Sequence, residues 1–250
     1  MHWTMKGSAM KSHNIAVTPS AYSYPLLIKQ LLHAPKAFAL EQEIVYSDRL
    51  RMRYADLFER IGRFGSLLGE LGVAQGDTVA VMDWDSHRYL EAFFAVPMYG
   101  AVLQTVNIRL SPEQIVYTLN HAGASVLLVN AEFLPLLAQI RDQLDGVRCL
   151  VLLSDDAQAL PEGFAGEYEA LLAGCSADFD FPDFDENTRA TTFYTTGTTG
   201  LPKGVYFSHR QLVLHTLAVS AALGLSPVQG RLHRGDVYMP ITPMFHVHAW

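Results

Sequence analysis

The sequence predicts an α/β fold in which parallel strands form layers covered by helices. Three features carry that expectation. Short runs such as Thr78–Met82, Ser125–Val129 and Cys149–Leu153 are largely apolar on both faces, as strands are when both sides of a parallel sheet are covered. Segments of helical periodicity alternate with these runs, the pattern of a sheet wound with crossover helices. Glycines and helix-capping residues stand at the junctions between the two.

The elements follow in order. Between Tyr54 and Leu71, the residues Leu57, Phe58, Ile61, Phe64, Leu68 and Leu71 recur at helical spacing and give one buried face. A glycine-bounded turn from Gly72 to Asp77 leads into the strand Thr78–Met82. Residues 86–99 read as a second helix and Ala101–Val106 as the next strand. Ser111, Pro112 and Gln114 form a helix start: a hydroxyl N-cap, a proline in the first turn and a capping-box glutamine. That helix is expected to end near Gly123. A strand Ser125–Val129, a helix Phe133–Leu144 and a strand Cys149–Leu153 come next. Residues 154–188 break the rhythm and read as a solvated connecting segment. Asp178, Asp180, Asp183, Asp185 and Glu186 crowd it, but no glycine stands where a calcium loop must bend, so calcium is not expected. A β-rich run Ala190–Tyr194, a loop, a strand Val205–Ser208 and a helix from near Arg210 follow.

Composition narrows the function classes. Lys and Arg number 18 against 25 Asp and Glu, a formal net charge of −7, which argues against a nucleic-acid binder relying on a broad basic surface. Charged residues make up 17% and the hydrophobic set 50%, so disorder is excluded. The apolar surplus asks for a partner surface: another subunit, another domain or a membrane. Ala92–Ile108 is interrupted by Pro97, Gly100, Gln104 and Asn107, and Leu212–Leu225 is too short to span a bilayer, so no transmembrane segment is expected. Cys149 and Cys175 form no CxxC and no paired framework, which favours a reduced, cytoplasmic setting with structural thiols. Residues 1–20 read as an irregular N-terminal arm, with neither the arginines of a transit peptide nor the apolar stretch of a secretory signal. Trp84, Tyr99 and His215 read as packing residues.

The chemistry concentrates in one segment, Thr191-Thr-Phe-Tyr-Thr-Thr-Gly-Thr-Thr-Gly-Leu-Pro-Lys-Gly-Val205. Glycines let backbone N–H groups curl around an anion, threonine hydroxyls add donors or metal contacts, and Lys203 supplies a mobile positive charge. In an acidic protein a polyphosphate needs such a local concentration of donors. The segment is not a Walker loop, because Lys203 follows Pro202 and precedes Gly204, and the dinucleotide fingerprint Gly-x-Gly-x-x-Gly is absent. Near residue 250, His246 and His248 lie two apart, but no third metal ligand accompanies them.

The run Tyr194-Thr-Thr-Gly-Thr-Thr-Gly-Leu-Pro-Lys-Gly204 closely resembles the phosphate-binding loop of the adenylate-forming superfamily, which includes acyl-CoA synthetases, luciferases and peptide-synthetase adenylation domains. Thr242-Pro-Met-Phe-His-Val-His-Ala-Trp250 looks like the next signature of that family, in the form used by medium- and long-chain fatty acyl-CoA ligases. The helix at Tyr54, the turn at Gly72–Asp77 and the capping segment Asn107–Gln114 follow the family's order, so the likeness runs over about residues 20–250.

The resemblance implies a fatty acid–CoA ligase that activates a carboxylic acid with Mg-ATP to an acyl-adenylate, then forms a thioester with coenzyme A. By matching motif positions it implies that Thr195, Thr196, Gly197, Thr198, Thr199 and Gly200 surround the nucleotide's phosphates, with Lys203 helping to neutralise them. Thr195 matches a position whose hydroxyl helps hold Mg²⁺. His246 matches a catalytic residue near the α-phosphate and the substrate carboxylate, and Trp250 an aromatic gate to the acyl tunnel; a histidine in an apolar strand and a core tryptophan are the plain alternatives. Family members are much longer, so residues 21–250 are expected to form an incomplete large N-terminal AMP-binding domain. The Mg²⁺-binding acid, the ribose-binding aspartate, the adenine pocket and a C-terminal lysine would then lie beyond residue 250, and the 250-residue chain alone would be inactive or nearly so. The simplest partner for the apolar surplus is the rest of the same polypeptide, with a homodimer contact as a further candidate. Alternatives are an aryl- or amino-acid-adenylating relative, or a non-catalytic short nucleotide-binding relative.

Overall fold

Hydrogen-bonded ends and apolar faces set the helices. The computed structural model describes residues 15–195, 200–225, 232–233 and 235–246. After an exposed stretch at 15–24, the chain forms α1 (His33–Phe38) and a separate antiparallel hairpin of β1 (Glu43–Tyr46) and β2 (Leu50–Arg53). The predicted long helix is α2 (Tyr54–Glu70), started by the Asp56 carboxylate accepting the Arg53 backbone N–H at 2.8 Å. It buries Leu57, Ile61, Phe64, Leu67 and Leu68.

The winding then proceeds as expected. β3 (Thr78–Met82) is buried throughout. α3 (His87–Tyr99) begins where the Ser86 hydroxyl accepts the Tyr89 N–H at 3.2 Å and ends at Gly100, whose φ of +93° suits glycine. β4 (Val102–Thr105) follows, then α4 (Pro112–Ala122), carrying the predicted capping box between Ser111 and Gln114 and ending at Gly123 with φ +66°. β5 (Ala124–Asn130) and β6 (Cys149–Leu153) are the next two strands. Between them the helix predicted as continuous is α5 (Leu134–Ile140), flanked by tighter turns at Ala131–Phe133 and Arg141–Gln143. Asn130 caps the first turn by accepting the Glu132 N–H at 3.0 Å, and Pro135 sets the start of α5.

Residues 154–188 depart further from expectation. They contain β7 (Gly166–Glu167) and α6 (Tyr168–Gly174), with Tyr168 and Leu172 buried. The acidic–aromatic stretch is partitioned rather than simply solvated. Phe179 stacks on Tyr99 at 5.7 Å, Phe184 meets His209 edge-on at 5.0 Å, and Asp183 pairs with Lys29 at 2.8 Å. Interleaved phenylalanines supply apolar area that the acids, facing outward, leave free to bury.

β8 (Arg189–Thr195), β9 (Lys203–Ser208) and α7 (His209–Leu225) complete the described order. The sheet runs β7-β6-β5-β3-β4-β8-β9. Its parallel part has the doubly wound order in which the chain reverses direction between β3 and β5. α2, α3 and α6 share one face and core, α4 and α5 the other. Only the last pair, β8 with β9, is antiparallel. Residues 196–202 are too few for the crossover of about a dozen residues that a parallel return requires. Among the described residues no helix is long and apolar enough to cross a membrane.

Candidate functional site

The β8–β9 hairpin sets the mouth of the glycine- and threonine-rich loop. Its register places Thr195 opposite Lys203 and Tyr194 opposite Gly204. Directly opposed residues of an antiparallel pair share a face, so the Thr195 hydroxyl and the Lys203 ammonium emerge on one side of the loop's base. Lys203 is exposed and Thr195 half-buried. No carboxylate among the described residues pairs with Lys203. A hydroxyl and an exposed ammonium side by side at the end of a strand can engage an anion. Gly200 lies in an exposed bend on the return of the loop. The expected site residues Thr196, Gly197, Thr198 and Thr199 lie outside the described residues, as does Trp250.

The second candidate segment reaches the same edge of the sheet. β8 runs parallel to β4, so its loop leaves at the carboxyl ends of the parallel strands, where open α/β sheets place their ligands. The Met244 backbone N–H donates to Asp85 Oδ1 at 2.6 Å, just after β3. Phe245 is 2% exposed, with Trp84 at 6.4 Å and the Arg109 guanidinium 5.8 Å over its ring. His246 follows in a turn closed by its N–H to the Pro243 carbonyl at 2.9 Å. This corrects the strand that stood as the plain alternative for His246. Pro243 has no N–H to give to a ladder, and the turn lets Phe245 fill the gap between the loops after β3 and β4. His246 itself is exposed.

An acid missed in the sequence organises this edge. Asp83 is fully buried, its Oδ1 accepting from Asn130 Nδ2 at 2.7 Å and from the Trp84 N–H at 2.8 Å, its Oδ2 from Ser86 Oγ at 2.5 Å. Burial pushes its carboxyl above the usual range, against the pull of these donors. It ties β3 to β5 where the winding reverses. The signal was legible: an acid directly after an apolar strand, at the end where ligands bind. Gly204 opposite Tyr194 and the contact of Tyr194 with α4 were not legible, because both depend on register.

Tyr99 donates its hydroxyl to the Val73 carbonyl at 2.9 Å and Trp84 its indole N–H to Glu132 at 2.9 Å. His215 lines an apolar cavity of about 600 Å³ bounded by residues that include Leu31, Phe58, Phe93 and Leu212.

The sequence model of the family described as AMP-binding enzyme matches residues 31–250. The chain is 46% identical over 200 residues to a long-chain-fatty-acid–CoA ligase of Thermus thermophilus, covering 80% of this chain and 35% of the relative. It is 40% identical over 235 residues to a 3-methylmercaptopropionyl-CoA ligase of Ruegeria lacuscaerulensis, covering 90% and 42%. The solved N-terminal domain of FACL13 from Mycobacterium tuberculosis superposes with a TM-score of 0.68 at 27% identity, over 88% of this chain and 52% of that one. The chain thus spans less than half the length of the two curated relatives. With the family's sequence model extending from residue 31 to residue 250 and the doubly wound sheet carrying its loop at the carboxyl edge, the chain belongs to the AMP-binding enzyme family.

Proposed function

We propose that this chain forms the phosphate-binding part of an AMP-forming acyl-CoA ligase. Residues 21–250 would constitute part of the large N-terminal domain. In the proposed reaction a carboxylate oxygen attacks the α-phosphorus of ATP, the bond to the β-phosphate breaks, and pyrophosphate leaves. The thiol of coenzyme A then attacks the acyl carbon, loses its proton, and AMP departs. The observation that carries this reading is the pairing of Thr195 with Lys203 at the mouth of the loop. Thr195, Thr196, Gly197, Thr198, Thr199, Gly200 and Lys203 would hold the phosphates, His246 would act near the α-phosphate and the carboxylate, and Trp250 would gate the acyl site.

Mg²⁺ fits the donor set. Among the described residues no group of three His, Cys, Asp or Glu forms a metal cage, and a magnesium ion held chiefly by phosphate oxygens and waters, with one or two protein oxygens, needs none. Thr195 would supply that hydroxyl, and the ion would neutralise phosphate charge.

A fatty acid is the proposed substrate class, supported by the likeness to the long-chain ligase. The 3-methylmercaptopropionyl-CoA ligase supports a second candidate, a short thioether acid. A cytoplasmic setting belongs to the same proposal and is supported by the two free cysteines. Acyl-CoA formation by the full-length gene product, screened across fatty, thioether and aryl acids, tests the class. Thr195→Ala and Lys203→Ala are each expected to weaken ATP use by about 1–3 kcal/mol, the scale of a charge-assisted hydrogen bond. Unchanged ATP kinetics in both would remove the loop from the mechanism.

A further inference from the structure

The proposed phosphate loop hangs from a weakly supported corner of the sheet. Among the described residues β9 is an edge strand, and β8 is registered on β4 only at Leu103–Thr191 and Gln104–Thr192. Tyr194 and Thr195 therefore extend beyond that pairing, although the loop's geometry depends on them.

A side-chain cluster reaches this corner from the other face of the sheet. Tyr194 is 5% exposed, and its hydroxyl lies 2.8 Å from His121 Nδ1 on α4. Tyr117, one turn earlier on α4, sets its ring 5.4 Å from His121 and 6.4 Å from Tyr194. Burial pushes the Tyr194 phenol up to about 12, which keeps its proton available for donation to the imidazole nitrogen. The space comes from Gly204. A Cβ there would stand 3.3 Å from Tyr194 Cε1 and 3.4 Å from Cζ, tighter than ordinary contact. α4 is a firm anchor: it is capped at both ends and joined to β4 by Gln104 Nε2 donating to the Thr118 carbonyl at 3.1 Å.

We propose that Tyr194 is a positioning residue for the nucleotide loop, latched through its hydroxyl to His121 and seated on Gly204. The proposal rests on the phosphate-binding reading of the 195–203 loop. Neighbouring strand residues point to opposite faces, so Tyr194 faces α4 while Thr195 and Lys203 face the other way. Its effect is to keep the loop's two ends in the binding-competent arrangement. A looser loop is competent for a smaller fraction of the time, and its apparent affinity for nucleotide falls by that fraction.

Kinetics of the full-length gene product test this with Tyr194→Phe, His121→Ala, His121→Asn and, as a control, Lys203→Ala. Tyr194→Phe and His121→Ala should each raise KM for ATP about five- to ten-fold, the effect of one lost hydrogen bond on a loop equilibrium, while kcat changes less than about two-fold. His121→Asn, which can place an amide oxygen near the Nδ1 position, should restore KM. The latch is overturned if Lys203→Ala is impaired but Tyr194→Phe and His121→Ala keep the parental KM. It is also overturned if both lose kcat in step with thermal stability and His121→Asn brings no recovery. A parental Lys203→Ala would remove the phosphate-binding reading, and the latch with it.

Discussion

His209, the first residue of α7, is fully buried, and its Nδ1 accepts the Ile28 N–H at 3.2 Å. Burial lowers its pKa from 6.5 to about 4, so the folded chain keeps it neutral. The unfolded chain protonates it near 6.5. Between those values the unfolded state binds more protons, and stability falls as pH drops from 6.5 towards 4. Denaturant midpoints measured across that window should decline, and His209→Asn, which keeps an acceptor near Nδ1 but does not titrate, should flatten the decline. An equally steep slope in the variant would assign it to other groups. Glu169 acts lower on the scale. Burial alone would raise its carboxyl, but His87 and Arg60 hold it down from 4.5 to about 2. Its contribution is present above 4.5 and lost as pH falls towards 2.

At the scale of elements, α2 shows how closely two segments approach. A Cβ on Gly62 would lie 2.1 Å from the Ala177 carbonyl oxygen, a backbone atom that cannot swing aside. Gly62→Ala should push the 175–179 segment off the helix and cost about 1–3 kcal/mol or more, as overpacking does. Gly69→Ala on the same helix meets nothing closer than 3.7 Å. It should gain up to about 1 kcal/mol from helix propensity. Thermal midpoints moving in the same direction for both variants would refute this packing account. Glu91 joins three elements, fully buried on α3 and accepting from Arg60 Nε of α2 at 2.7 Å and from the Tyr168 hydroxyl of α6 at 2.6 Å. Removing one partner strands the others, so Glu91→Ala should cost about 3–5 kcal/mol by chemical denaturation.

Over the whole molecule, α7 is the conspicuous surface. It is apolar around its circumference, the pattern of a helix enclosed on every side. Yet Leu214 is 44% exposed, Leu217 52% and Leu225 83%, on the helix whose Leu212 and His215 line the apolar cavity that reaches Ile28 and Phe94. Exposed apolar area of this kind drives association. The 250-residue chain on its own should show concentration-dependent self-association by light scattering, and Leu214→Glu with Leu217→Glu should suppress it without loss of secondary structure. A monomer at all concentrations would contradict the expectation.

By itself the sequence determined the local elements: the capping box at Ser111 and the apolar strands at Thr78 and Cys149. Periodicity, caps and glycines act over a few residues, so the chain carries them openly. Tertiary structure alone decided which distant groups meet. The acidic–aromatic stretch reads as solvated until Tyr99 and His209 are placed against its phenylalanines, and a strand is a plain alternative for His246 until Phe245 finds its gap. The partnership of Tyr194 with His121 and Gly204 depends on strand register and on which face α4 covers. A one-residue slip would turn Tyr194 to the opposite face. Such contacts arise when the sheet is assembled, because the pleat sends neighbouring side chains to opposite faces and the winding sets which helix covers each.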